Sequence, residues 1–124
     1  MKYLMIALGG ALGAIARFGL GAYVGQRSGT RFPYGTFLVN MSGCFLIGAT
    51  MTLLNGRRSI SPNWAYLIPI GFIGAYTTFS TFEFETLRAI QDGQWITGGL
   101  NVVLSVVVGF AMVWLGAVVG KVVA

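Results

Sequence analysis

The chain has no histidine, one cysteine and only three acidic residues among its 124. Each shortage removes a class of chemistry. Cys44 has no imidazole to activate it and none with which to share zinc or haem. It can form no intrachain disulfide, and inside a hydrophobic run it reads as a small buried apolar residue. The acids Glu83, Glu85 and Asp92 gather near one membrane edge. With no nucleophile–base pair, metal set or cofactor motif, the chain does not read as an enzyme. Charge of either sign is scarce: 9% of residues are charged and 56% hydrophobic. A soluble domain of this length needs a charged surface that such a composition does not supply. The composition fits a membrane protein with little mass outside the bilayer and lipid around it. The net charge of +5 comes from scattered residues, Lys2, Arg17, Arg27, Arg31, Arg57, Arg58, Arg88 and Lys121. No basic stripe with interleaved aromatics exists, so no nucleic-acid partner is expected. The cations suit membrane ends, beside anionic head groups.

What the chain does have is four apolar segments, over about residues 3–24, 34–54, 64–82 with a polar continuation to 91, and 95–120. Each reaches the roughly 20 residues that a spanning helix requires. Between them, Gly25–Pro33, Asn55–Asn63 and Gln91–Gln94 collect Arg, Ser, Asn, Gly and Pro. Tyr34, Trp64, Tyr66, Trp95 and Trp114 stand near segment ends, as an aromatic belt would. Met1–Ala14 has the elements of a signal peptide, but its apolar pattern continues past Arg17 to Val24, which favours a first span. The expectation is an all-α membrane protein, one transmembrane domain over 1–124, in the cell (inner) membrane.

Four spans put both termini and the 55–63 loop on one side, with Lys2, Arg57, Arg58 and Lys121; the other side carries Arg27, Arg31 and Arg88. A margin of one cation scarcely specifies an orientation. Either the chain inserts both ways and pairs as an antiparallel dimer with a two-fold axis in the membrane plane, or one loop decides and the orientation is fixed. Gly9, Gly13, Arg17 and Gly21 share one face of the first span, and Gly116 and Gly120 repeat the spacing in the fourth. Such stripes let helix backbones approach where water is absent.

The residues most able to carry chemistry are polar ones inside these spans. Arg17 lies at membrane depth, at a cost of roughly 2.5–3.5 kcal/mol if unpaired at a helix centre. It either snorkels to the interface or faces the interior, where it helps anions or pairs with Glu83 or Glu85. Thr36, Asn40 and Gly43 fall on one face of span two; Asn101, Ser105 and Gly109 do so in span four. Singly, each is more simply a helix–helix hydrogen bond, worth about 0.6 kcal/mol on average. Together they favour a polar pathway. Span three is more specific. Gly71, Gly74, Thr77 and Thr78 predict a break near 74–78, exposing carbonyls for a small cation and amides for an anion. Phe79 and Phe82 follow on one helical face. Aromatic rings are positive at the edge, so ring edges, amides and hydroxyls suit a small dehydrated anion without holding it too tightly.

The runs Gly-Thr-Phe-Leu-Val-Asn at 35–40 and Gly-Ala-Tyr-Thr-Thr-Phe-Ser-Thr-Phe at 74–82, followed by Glu85, closely resemble the CrcB/Fluc family of microbial fluoride channels. The likeness spans essentially the whole chain. It implies an antiparallel, dual-topology homodimer that passes fluoride passively, rejects chloride and lowers cytoplasmic fluoride. It implies that Asn40 contacts fluoride and that Phe79 and Phe82 form an aromatic track. Thr81 is then the polar lining beside it, with Ser80, Ser105 and Thr36 along the pathway and Arg17 and Glu85 as vestibule charges. It also implies that backbone carbonyls of Gly74 and Thr77 hold a structural sodium ion on the dimer axis. The chain departs from its relatives in span four, where Asn101 stands for a tyrosine and Gly109 for a serine. A small multidrug-type exporter is the main alternative, but span one carries Arg17 and no acid to exchange protons. A non-transporting assembly subunit held by the glycine stripes is a third.

Overall fold

The computed structural model describes all 124 residues, Met1–Ala124, and every regular element is helical. In chain order these are α1 (Lys2–Ser28), α2 (Tyr34–Gly56), α3 (Asn63–Ala65), a π-helical run (Tyr66–Ile73), α4 (Gly74–Tyr76), α5 (Phe79–Gln91) and α6 (Trp95–Val123). Helices α1, α2 and α6 are each long and apolar enough to cross a membrane. The third segment is helical from Asn63 to Tyr76, stops, and resumes at Phe79. This is the expected four-segment membrane fold with its third helix broken.

The exterior is apolar. Leu12, Ile15 and Phe18 of α1, and Val106, Val107 and Phe110 of α6, are all exposed. Unrelieved apolar surface of this extent needs lipid or another protein against it. The interior is small by contrast: Val39, Met41, Ile73, Tyr76 and Phe82 are the buried large side chains, and most other buried positions are glycines. The reason is physical. Lipid tails are as apolar as leucine, so helices associate through close packing and not through exclusion of water. At Gly9 and Gly13 an added Cβ would run into the carbonyl oxygens of Leu67 and Phe72, so α1 lies directly on the π-helical run. At Gly48 and Gly116 it would meet the carbonyls of Val113 and Phe45, and α2 and α6 are joined in the same way.

The π-helical run was not foreseen, and Pro69 in its middle explains it. Proline has no N–H to donate and its ring collides with the carbonyl one turn back. A wider turn relieves both. The break also falls later than the glycines suggest. Gly74 keeps helical angles (φ −59°, ψ −36°). The extended residues are Thr77 (φ −82°, ψ 154°) and Thr78 (φ −147°, ψ 116°).

Candidate functional site

The break is held by a side chain from another helix. Thr77 N–H still donates to Ile73 O at 3.0 Å, as in a helix. A continuing helix would aim the next N–H at Gly74 O. Instead Asn40 Oδ1, from α2, accepts from Thr78 N–H at 2.8 Å, and Asn40 Nδ2 donates to Thr78 O at 3.0 Å. The amide thus pairs with both backbone groups of one residue, as a neighbouring strand would. Thr78 then caps α5: its Oγ1 accepts from Thr81 N–H at 3.2 Å and donates to Thr81 Oγ1 at 3.1 Å. Gly43, three residues beyond Asn40, leaves the space that Thr77 fills, since a Cβ there would overlap the Thr77 methyl. These contacts give extended backbone its hydrogen bonds at membrane depth, where water cannot.

Two cavities flank this clamp, and Thr78 lines both. The first, of about 380 Å³, is lined by Asn40, Gly74, Thr77, Phe79, Phe82 and Ser105 among others, with no charged side chain. Phe79 and Phe82 have ring centroids 5.8 Å apart at 53°. Phe82 is 7% exposed and Phe79 76%, so the pair runs from the interior to the outer face of the protomer. The second cavity, of about 570 Å³, is lined by Arg17, Thr36, Thr81 and Glu85 among others. A third, of about 500 Å³, shares Glu85 and Arg31 and adds Arg88 and Asp92.

The residues singled out in the sequence therefore divide into groups. Asn40, Phe79, Phe82 and Ser105 meet around the uncharged cavity, beside Gly74 and Thr77. Thr36, Thr81, Arg17 and Glu85 meet in the charged one. Ser80 lines neither; it is exposed, with its hydroxyl 3.5 Å from Thr78 Oγ1. Thr36 Oγ1 donates to Glu85 Oε1 at 2.7 Å, so its proton is already used.

Arg17 forms no ion pair with Glu83 or Glu85, which was one of the roles open to it. Arg17 Nε and Glu85 Oε2 are instead both buried without a partner. Both line the charged cavity. Asn101 and Gly109 sit away from the cavities. Asn101 is 3% exposed between α5 and α6, and Gly109 lies against Met41 and Cys44, which a Cβ there would approach to 3.4–3.5 Å. Sequence reasoning missed Thr78 as the centre of the site. The signal available was its position after Thr77 at the end of a helix, followed three residues later by a hydroxyl at Thr81.

An apolar four-segment bundle, with a broken helix clamped between an uncharged and a charged cavity, defines a multi-pass membrane protein. The chain belongs to the family described as CrcB-like protein, Camphor Resistance (CrcB), whose model matches residues 4–117. It is similar to a fluoride-specific ion channel FluC of Acidobacterium capsulatum, 59% identical over 121 residues that cover 98% of this chain and 97% of the relative. A protein of the same name from Solibacter usitatus is 50% identical over 121 residues, covering 98% and 99%. One from Opitutus terrae is 46% identical over 116 residues, covering 92% and 88%.

Proposed function

We propose that this protein is a passive, fluoride-selective channel that lets fluoride out of the cell and so lowers its cytoplasmic level. The observation that carries the reading is the cavity bounded by Asn40, Phe79, Phe82 and Ser105 with no charged lining. Fluoride is small and strongly hydrated, and it crosses only if groups in the protein replace its water. Asn40 spends one N–H on Thr78 O and keeps the second for an anion. The edges of Phe79 and Phe82 offer positive rims. None of these carries a full charge, so the ion is received but not trapped. Arg17, Arg31 and Arg88, in or beside the charged cavities, raise the local anion concentration. The names of the relatives, each a fluoride-specific ion channel, support the same reading.

The protein works as an antiparallel homodimer in this proposal. Exposed Phe79 and the open side of the uncharged cavity call for a second copy, and a margin of one cation lets both orientations form. The diversion of the Thr78 N–H to Asn40 supports a sodium site, because it leaves the Gly74 carbonyl without its helical donor. Neutral carbonyls fit a hard monovalent cation. Gly74 and Thr77 of both copies would hold it, and its charge would fix the two breaks together and favour anions nearby. Efflux from reconstituted liposomes tests the proposal, read by a fluoride electrode with chloride as control and with sodium present or replaced. Fluoride flux no faster than chloride flux refutes the channel. Flux and dimer stability unaffected by sodium removal refute the cation site.

A further inference from the structure

Asn101 lines neither cavity, yet it belongs to a chain of hydrogen bonds that begins at the cavity wall. Ser105 Oγ, in that wall, donates to Asn101 Oδ1 at 3.4 Å. Asn101 Nδ2 donates to Thr86 Oγ1 at 3.0 Å, and Thr86 Oγ1 donates to Phe82 O at 2.9 Å. The direction of every link follows from its last member. A backbone carbonyl only accepts. Thr86 must therefore give its proton to Phe82 O, which leaves its oxygen to accept from Asn101. The amide nitrogen of Asn101 is thereby fixed toward Thr86, and its oxygen faces Ser105. Ser105 must then turn its O–H toward Asn101, presenting lone pairs to the cavity.

We infer that Asn101 is a positioning residue that competes with the permeating anion for the proton of Ser105. This rests on the channel reading and adds to it. Ser105 is a poor donor to fluoride while Asn101 holds its hydroxyl, and becomes one when the hydroxyl rotates. The bond that must yield is the longest of the three, so rotation costs little and returns easily. The uncharged cavity thus has a weak, self-retracting donor at Ser105 beside the standing one at Asn40.

A double-mutant comparison tests this. Fluoride efflux is measured for the full-length protein in liposomes, with Ser105→Ala made in three backgrounds: wild type, Asn101→Leu and Thr86→Val. Ser105→Ala should lower wild-type flux by a clearly smaller factor than in the other two backgrounds. Where Asn101 is gone the same change should cost about three- to tenfold, the worth of one freed hydrogen bond. Thr86→Val is nearly isosteric and removes the acceptor that orients the amide. Asn101 can then flip and stop accepting from Ser105, so this background should behave like Asn101→Leu. Should Asn101→Leu fail to fold, the Thr86→Val pair decides. An equal cost of Ser105→Ala in every background overturns the inference while leaving the channel intact. A wild-type protein that passes no fluoride overturns the channel reading and the inference with it.

Discussion

Replacing Asn40 with alanine removes both hydrogen bonds that hold Thr78 extended, the 2.8 Å bond from its N–H and the 3.0 Å bond to its carbonyl. Each is worth about 1 kcal/mol net, and each orphaned backbone group costs about 1–3 kcal/mol more where water cannot reach it. The clamped conformation should thus lose roughly 4–8 kcal/mol against alternatives in which Thr78 N–H returns to Gly74 O. At 1.4 kcal/mol per factor of ten, that turns a well-populated break into a minor state, and fluoride efflux should fall by about a hundredfold or more. The assay is electrode-detected efflux from liposomes, with dimer content followed by crosslinking so that lost assembly is not mistaken for lost conduction. Asn40→Asp sharpens the result. The carboxylate can still accept from Thr78 N–H but cannot donate to its carbonyl, and it sets a negative charge beside an anion's path. It should conduct no better than alanine. If Asn40→Ala conducts within about twofold of wild type as an intact dimer, the clamp is not what holds the path open.

The remaining expectations follow from other contacts. Gly43→Ala places a methyl against the Thr77 methyl, displaces the extended residue, and should raise the sodium concentration needed for half-maximal flux without abolishing assembly. Gly116→Val drives a side chain into the Phe45 carbonyl and should part α2 from α6, so that no monodisperse protein is recovered in detergent. Arg57→Ala removes only an exposed bond from Arg57 Nη2 to Val123 O at the end of α6. Flux there should stay within about twofold of wild type, as for most surface substitutions; a larger loss would show that this loop takes part in conduction.

Much of the fold could be read from hydropathy, because three of the four segments form helices long and apolar enough to cross a membrane. The broken segment was legible only in outline. Glycine and threonine propensities placed weakness over 74–78, but Gly74 stays helical and the chain parts at Thr77 and Thr78. The decision is tertiary: Asn40, far away in sequence, outbids Gly74 for the Thr78 N–H. No local pattern encodes that competition. Pro69 was the visible sign of the π-helical run, hidden within a stretch otherwise suited to an ordinary helix. Among site residues, Asn40, Phe79, Phe82 and Ser105 meet around one cavity, but helical spacing had also grouped Thr36 with Asn40, and Asn101 and Gly109 with Ser105, and these three lie elsewhere. Whether Arg17 would snorkel, face the interior or pair with an acid stayed open in the sequence, because charge complementarity carries no distance. The place of Asn101 between α5 and α6, 3% exposed, needed the partner Thr86, which lies 15 residues away on another helix.

The clamp also constrains the order in which the molecule can be made. Asn40 leaves the ribosome 38 residues ahead of Thr78, so the helix that supplies it is finished before the segment it interrupts emerges. Until Asn40 docks against that segment, nothing diverts the Thr78 N–H from Gly74 O. Its discontinuity is written into it afterwards, by a neighbour already in place. A nascent chain cut off before α2 docks would carry an unbroken rod there, with no opening beside it.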